Sequence, residues 1–313
     1  MPVHRLLILV PWLLALASTG RAQVARRATR FDSLVTAAQV QQFVRTQNQP
    51  QFVLTDSLRP ECRYTQVCAA LTGSSWLKED FDGNGRTDLV VVGYRNATSF
   101  QRRVLCFLDL GYQEVKTIWL SDNGYECAVP QLGMVQGKPA IYYAHVQIMG
   151  ERFAQNRQAV CRVDTLVFDY TRLVEYNHAP KDNHIQKVTF NTSACYGTCP
   201  ILTLQIAHNG MASYQAEAYN PTQGNFTAVV EAKPLAELWA LLNYLNFPTL
   251  QDHYAIGATD HPTATLTITY AGGKVKTIED YGEQGTFGLQ QVYKLLFALR
   301  TTQAWKRSSL NER

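Results

Sequence analysis

Apolar residues recur at helical spacing between Phe31 and Gln47, at Phe31, Leu34, Val35, Ala38, Val40, Phe43 and Val44. That spacing predicts one amphipathic helix. After it the period drops to two. The segments TDLVVVGYR, RVLCFLDLG, EVKTIWLS, PQLGMVQ, PAIYYAHVQIM and CRVDTLVFDYTRLVEYN read as strands, with turn residues between most of them. Their succession fits an antiparallel meander, with a hairpin turn at Gln136-Gly137. Residues 177–184 (NHAPKDNH) are polar, contain a proline and lose all periodicity. They mark a boundary between two units, residues 23–180 and residues 184–306.

The pattern restarts at Ile185. IQKVTFNT, ILTLQIA, GMASYQAEAY and GNFTAVVE alternate as strands, and His208-Asn209-Gly210 joins two of them. Asn-Gly supplies the positive φ angles of a tight hairpin turn. KPLAELWALLNYLNF then places Leu235, Leu238, Leu241, Leu242 and Leu245 on one helical face, with Pro234 in the first turn. Two more strands flank Gly272-Gly273, and FGLQQVYKLLFALRTTQAW closes as a helix. Four strands, a helix, two strands and a helix form an α+β layer and not a parallel doubly wound sheet. The whole chain therefore reads as α+β: an N-terminal helix, a β-rich meander, then a second α+β unit.

The first residues change the picture of where this happens. His4 and Arg5 precede an apolar run from Leu6 to Ala17, and small residues follow. This is the layout of a secretory signal over residues 1–22, with cleavage after Ala17 or Ala22. The run is shorter than the roughly 20 apolar residues of a membrane span. The expected mature protein is secreted or periplasmic, with no transmembrane segment. Removing residues 1–22 takes away Arg5 and Arg21 and lowers the formal net charge from +4 to +2. So small an excess leaves no nucleic-acid footprint, and the expected partner is another protein or a cell-envelope component.

Export makes disulfides the default reading of the cysteines. Cys62 with Cys68 and Cys195 with Cys199 are spaced for local bridges, and Cys106 with Cys127 for a bridge across neighbouring strands. Cys161 is then the odd one out, either a small buried hydrophobe or a wrongly assigned partner.

The densest chemistry lies in DFDGNGRTD. Asp80, Asp82, Asn84 and Asp88 stand at positions 1, 3, 5 and 9, Arg86 can offer its carbonyl at position 7, and Gly83 and Gly85 let the chain curl. Three carboxylates on a flexible all-oxygen loop suit Ca2+ better than magnesium. Position 12 is Val91, where an EF-hand requires glutamate. Residues 80–92 instead resemble a single calcium loop of the FG-GAP/VCBS type, D-x-D-G-N-G-x-x-D followed by an apolar strand. The resemblance implies a structural ion that steadies a sheet. It covers one loop, whereas a propeller needs at least four blades.

The other distinctive string is Cys195-Tyr196-Gly197-Thr198-Cys199-Pro200, followed by Gly210 to Tyr214, by Tyr254 and by Thr259-Asp260-His261-Pro262. Over about Ile185 to Trp305 the chain resembles an uncharacterised exported bacterial domain family, domain of unknown function 6438. The resemblance brings no activity with it. A bridge between Cys195 and Cys199 would pin a tight turn, with Pro200 placed where its missing N–H does least harm to the strand. A redox role for the pair is the alternative. Its spacing of three and the following strand depart from the Cys-x-x-Cys at a helix N-terminus that thioredoxin-type chemistry uses. Asp260 and His261 could serve a hydrolase, but no G-x-S-x-G elbow accompanies them. Two functions follow: an exported non-catalytic binding or envelope protein, or an enzyme working through Cys195/Cys199 or Asp260/His261.

Overall fold

The computed structural model describes residues 29–55, 74–97, 102–121, 128–149 and 158–308. The expected signal and the cysteines Cys62, Cys68 and Cys127 lie outside the described residues. Helix α1 (Ala37–Thr46) starts where expected because Thr36 and Gln39 form a reciprocal capping box. The Gln39 N–H donates to Thr36 Oγ1, and the Gln39 Oε1 accepts the Thr36 N–H at 2.9 Å.

Strands β1 (Val53–Leu54), β2 (Trp76–Glu79), β3 (Asp88–Tyr94), β4 (Arg102–Gly111) and β5 (Glu114–Ser121) form one antiparallel sheet. Strands β6 (Val129–Val135), β7 (Lys138–Met149), β8 (Gln158–Asp169) and β9 (Arg172–Glu175) form a second, a simple meander. The expected meander is thus two sheets. They pack face to face through Val90, Val92, Val104, Leu108 and Ile118 on one side and Val129, Ile141, Tyr143, Leu166 and Leu173 on the other. The opposite face of the first sheet, with Leu89, Val91, Leu105 and Phe107, is covered by Val40 and Val44 of α1 together with Phe31 and Phe52. Being covered on both sides explains why β3 reads as an unbroken apolar run and not as an alternation.

The same packing corrects one disulfide expectation. Cys106 does not bridge to Cys127: it is a free, buried thiol. It lies opposite Val90 and Ile118 and faces the core between the sheets, where its neighbours are aliphatic. Burial pushes its pKa well up, which keeps it an inert thiol. Cys161, read as the odd one, is the one that is disulfide-bonded.

The C-terminal unit is built on β10 (Ile185–Thr192), β11 (Ile201–Ala207), β12 (Met211–Ala218), β13 (Gly224–Val229), β14 (His253–Ala255), β15 (Thr263–Tyr270), β16 (Lys274–Tyr281) and β17 (Lys306–Arg307). Their order across the sheet is β14-β16-β15-β10-β11-β12-β13-β17, antiparallel except for β14 with β16. Val188, Phe190, Leu204, Ile206, Tyr214 and Leu266 point to one face. Helices α2 (Ala232–Tyr244) and α3 (Phe287–Thr302) cover it with Leu238, Leu241, Leu242, Leu289, Val292 and Leu296. The alternating pattern of the sequence is this one-sided burial.

Helix α3 also ties the two units together. The Glu175 carboxylate of β9 accepts the Phe287 N–H at 2.6 Å and the Gly288 N–H at 2.9 Å, capping the positive end of the helix. The Phe287 ring stands edge-on to Tyr143 at 5.2 Å. No helix among the described residues is long and apolar enough to cross a membrane.

Candidate functional site

Residues 80–87 connect β2 to β3, and Glu79 pairs with Asp88 at the neck of this hairpin. Gly83 and Gly85 sit at φ +73 and +82, the left-handed region that glycine enters without strain. The curl turns backbone N–H groups inward. Asp80 accepts the Asn84 N–H at 3.0 Å and the Gly85 N–H at 2.8 Å. Asp82 accepts the Asn84 N–H at 3.1 Å and the Asn84 side-chain amide at 3.0 Å. Asp88, fully buried, accepts the Phe81 and Asp82 N–H groups on one oxygen and the Asp109 N–H on the other, at 2.9, 3.3 and 2.9 Å.

One oxygen from each of Asp80, Asp82 and Asp88 lies within 4.8 Å of the other two. Burial raises the pKa of Asp88 to about 7, opposed by its N–H donors and helped by the charge of Asp82. Burial and the neighbouring Asp80 raise Asp82 as well. Burial beside neighbouring carboxylates thus disfavours the charged forms of Asp82 and Asp88, and a cation among the three oxygens would reverse that. The residues fit a hard divalent ion: the donors are all oxygen, and every carboxylate oxygen except Asp88 Oδ2, which accepts two N–H groups, keeps a lone pair beyond its hydrogen bond. The Asn84 oxygen accepts the Arg86 N–H at 2.8 Å. The Arg86 guanidinium is committed to the buried Asp109 at 3.1 Å, which leaves its carbonyl as the group it could offer. Sequence reasoning passed over Asp109, although an aspartate inside the apolar run VLCFLDL was a legible signal that a partner must reach it.

Cys195 and Cys199 are bonded across a turn between β10 and β11. The turn lies on the surface, with Tyr196 90% exposed, so it neither opens into a cleft nor is sealed under side chains. The Tyr196 N–H donates to the Asp260 carbonyl at 3.1 Å, and Ser193 and Thr263 exchange bonds of 3.0 and 2.8 Å. The two halves of the motif, more than 60 residues apart in sequence, therefore meet at one end of the sheet. The Asp260 carboxylate accepts the Thr259 hydroxyl at 2.9 Å, while the His261 N–H donates to the Tyr281 hydroxyl at 3.1 Å. Asp260 and His261 form no ion pair among the described residues. The nearby His253 pairs instead with Glu279 at 3.3 Å on the surface.

Two functional-looking carboxylates escaped the sequence reading altogether. Glu175 caps α3 from the other unit. Asp280, fully buried, accepts the Gln284 and Gly285 N–H groups at 3.1 and 2.8 Å. A Cβ on Gly285 would stand 2.7 Å from an Asp280 oxygen, so glycine is required there. No local pattern announces either one.

Residues 186–300 match a family described as a domain of unknown function (DUF6438). That match does not extend to the loop at residues 80–92. No curated protein and no solved structure matches the chain.

Proposed function

We propose that this protein is exported and acts without catalysis, in a binding role outside the cytosol or at the cell envelope, with loop 80–88 holding one structural Ca2+. The convergence of Asp80, Asp82 and Asp88 within 4.8 Å carries the calcium reading. Asn84 and the Arg86 carbonyl would complete the set. Bound, the ion would neutralise the three carboxylates and brace the β2–β3 hairpin against the core. The apolar run after His4 and Arg5, and the disulfides at Cys195–Cys199 and at Cys161, support export.

The enzyme reading is the weaker one. The Cys195–Cys199 turn leads into a strand and so lacks the helix N-terminus that activates a redox thiol, and Asp260 and His261 turn to separate partners.

The test is thermal unfolding in chelator and in calcium. An ion at about 100 times its Kd adds roughly 2.7 kcal/mol to the folded state, which is about 5–10 °C for a protein of this size. Asp82→Ala abolishes the shift. An unchanged melting temperature in the wild type refutes the calcium reading, and a mature N-terminus at Met1 refutes export.

A further inference from the structure

A cleft of about 440 Å3 lies where α3 and the turn before it face β5 and β9. Trp119 and Ser121 come from β5, Arg172 from β9, Glu283 from the turn, and Tyr293 and Lys294 from α3. The volume falls within the range of small-molecule sites, and such sites favour the seam between two structural units. Its walls are anchored on both sides. Glu175 holds the start of α3, and the Gln291 side-chain amide donates to the Tyr170 carbonyl at 3.0 Å.

The polar groups of this cleft are only partly spent on one another. Arg172 donates through Nη2 to the Trp119 carbonyl at 3.2 Å and to Gln290 at 2.9 Å, which fixes the plane of its guanidinium. Among the described residues its Nε is buried with no hydrogen-bond partner, and so is Ser121 Oγ. The Tyr293 hydroxyl stands beside the buried Asp280 carboxylate and is turned to it, not to the cleft. Arg172 forms no ion pair among the described residues, and Glu175, whose charge acts on it, is committed to the helix N-terminus. Lys294 has no partner among the described residues either. Burial lowers its pKa, and so do the charges of Arg172 and Lys116. Glu283 is the one acid lining the cleft. Burial first, and then the charge of Asp280, raise its pKa to about 7. Buried orphan donors are rare in folded proteins and call for a partner. Here both Arg172 Nε and Ser121 Oγ can donate, and the cations Arg172 and Lys294 line the same cleft.

We propose that this cleft binds a small organic carboxylate with an apolar body, its carboxylate on Arg172 and Lys294 and its body against Leu120 and Phe297. With both Nη2 hydrogens committed, the guanidinium offers its Nη1 amino group, a single charge-assisted donor for a carboxylate oxygen. Phosphate, which has no apolar body, leaves the Phe297 wall unused. The inference deepens the binding role proposed above by naming its ligand class, and it stands apart from the calcium loop.

The test uses the full mature chain and 4-phenylbutyrate as probe, with 4-phenylbutyramide and inorganic phosphate as controls, read by calorimetry and by saturation transfer. The expected result is sub-millimolar binding of the carboxylate and at least about tenfold weaker binding of the neutral amide, since charge-assisted bonds to the guanidinium are lost. Lys294→Gln, an exposed position outside the core packing, weakens the carboxylate several-fold. Glu283→Gln leaves it equal or tighter. Asp82→Ala, which disables the calcium loop, leaves it unchanged, so the two readings fail separately. Equal binding of acid and amide, phosphate competing as well as the carboxylate, no binding of the probe, or indifference to Lys294→Gln would each overturn the proposal.

Discussion

Asp88 in the β-rich unit and Asp280 in the C-terminal unit are alike in almost every local respect. Both are fully buried at the end of a strand, and both close a turn by accepting backbone N–H groups. Burial raises both, to about 7 and about 6. They differ in company. Asp88 has carboxylate oxygens of Asp80 and Asp82 within 4.8 Å. Asp280 has a tyrosine, a glycine and the more distant Glu283. A buried acid with a raised pKa is therefore not by itself a cation site; the density of oxygens around it makes the difference. Asp280 is a fastener for the turn that leads into α3, and its charge adds to burial in raising the pKa of Glu283.

The largest test of that distinction is removal of each acid. Asp88→Ala strands three buried N–H donors and costs about 4 kcal/mol, while Asp280→Ala strands two and costs about 3 kcal/mol. Urea unfolding ranks them, and only the first variant also loses the response to calcium. A calcium response lost in Asp280→Ala as well would erase the comparison.

Next in size is the effect of pH. Asp280 and Glu283 have folded pKa values above those of the unfolded chain. Between about pH 4 and 7 the folded state keeps protons that the unfolded chain has released, so stability is highest below that window and falls as pH rises through it. Glu283→Gln should remove up to roughly 3 kcal/mol of that fall. The readout is the difference in unfolding free energy between pH 4 and pH 8, measured in chelator. A slope unaltered by the substitution would mean that Glu283 ionises as freely in the folded protein as in the unfolded one.

The smallest effect concerns the disulfide turn. The bridge closes a loop of sequence separation 4, and a loop that short restrains the unfolded chain by only about 2 kcal/mol. Replacing both Cys195 and Cys199 by serine should lower stability by that much or less and leave the calcium response intact. A larger loss would show that the turn's clasp on Asp260 supports the sheet well beyond its own residues.

Much of this was readable before any coordinates. The helical spacing of α1, the alternation of β10 to β16, the Asn209-Gly210 turn and the oxygen spacing of loop 80–88 are local patterns, and each one appears as a local element. The pairing of Cys195 with Cys199 was readable too, because four residues cannot carry the two sulfurs far apart. The contacts that escaped are long-range. Cys106 looked bridgeable until it proved to face an aliphatic core, and Arg172 gave no hint that Trp119 and Gln290 would hold it at the edge of a cleft.

The amino-acid order alone determined which segments are helix or strand, which face of each is apolar, and where carboxylates crowd a turn. These follow from backbone geometry and side-chain period over a few residues. The tertiary structure decided that one sheet is covered on both sides, that Glu175 caps a helix 112 residues away, and that unspent donors gather in one cleft. Those depend on how finished layers pack, a choice set by the sum of many burial energies and not by any single stretch of chain.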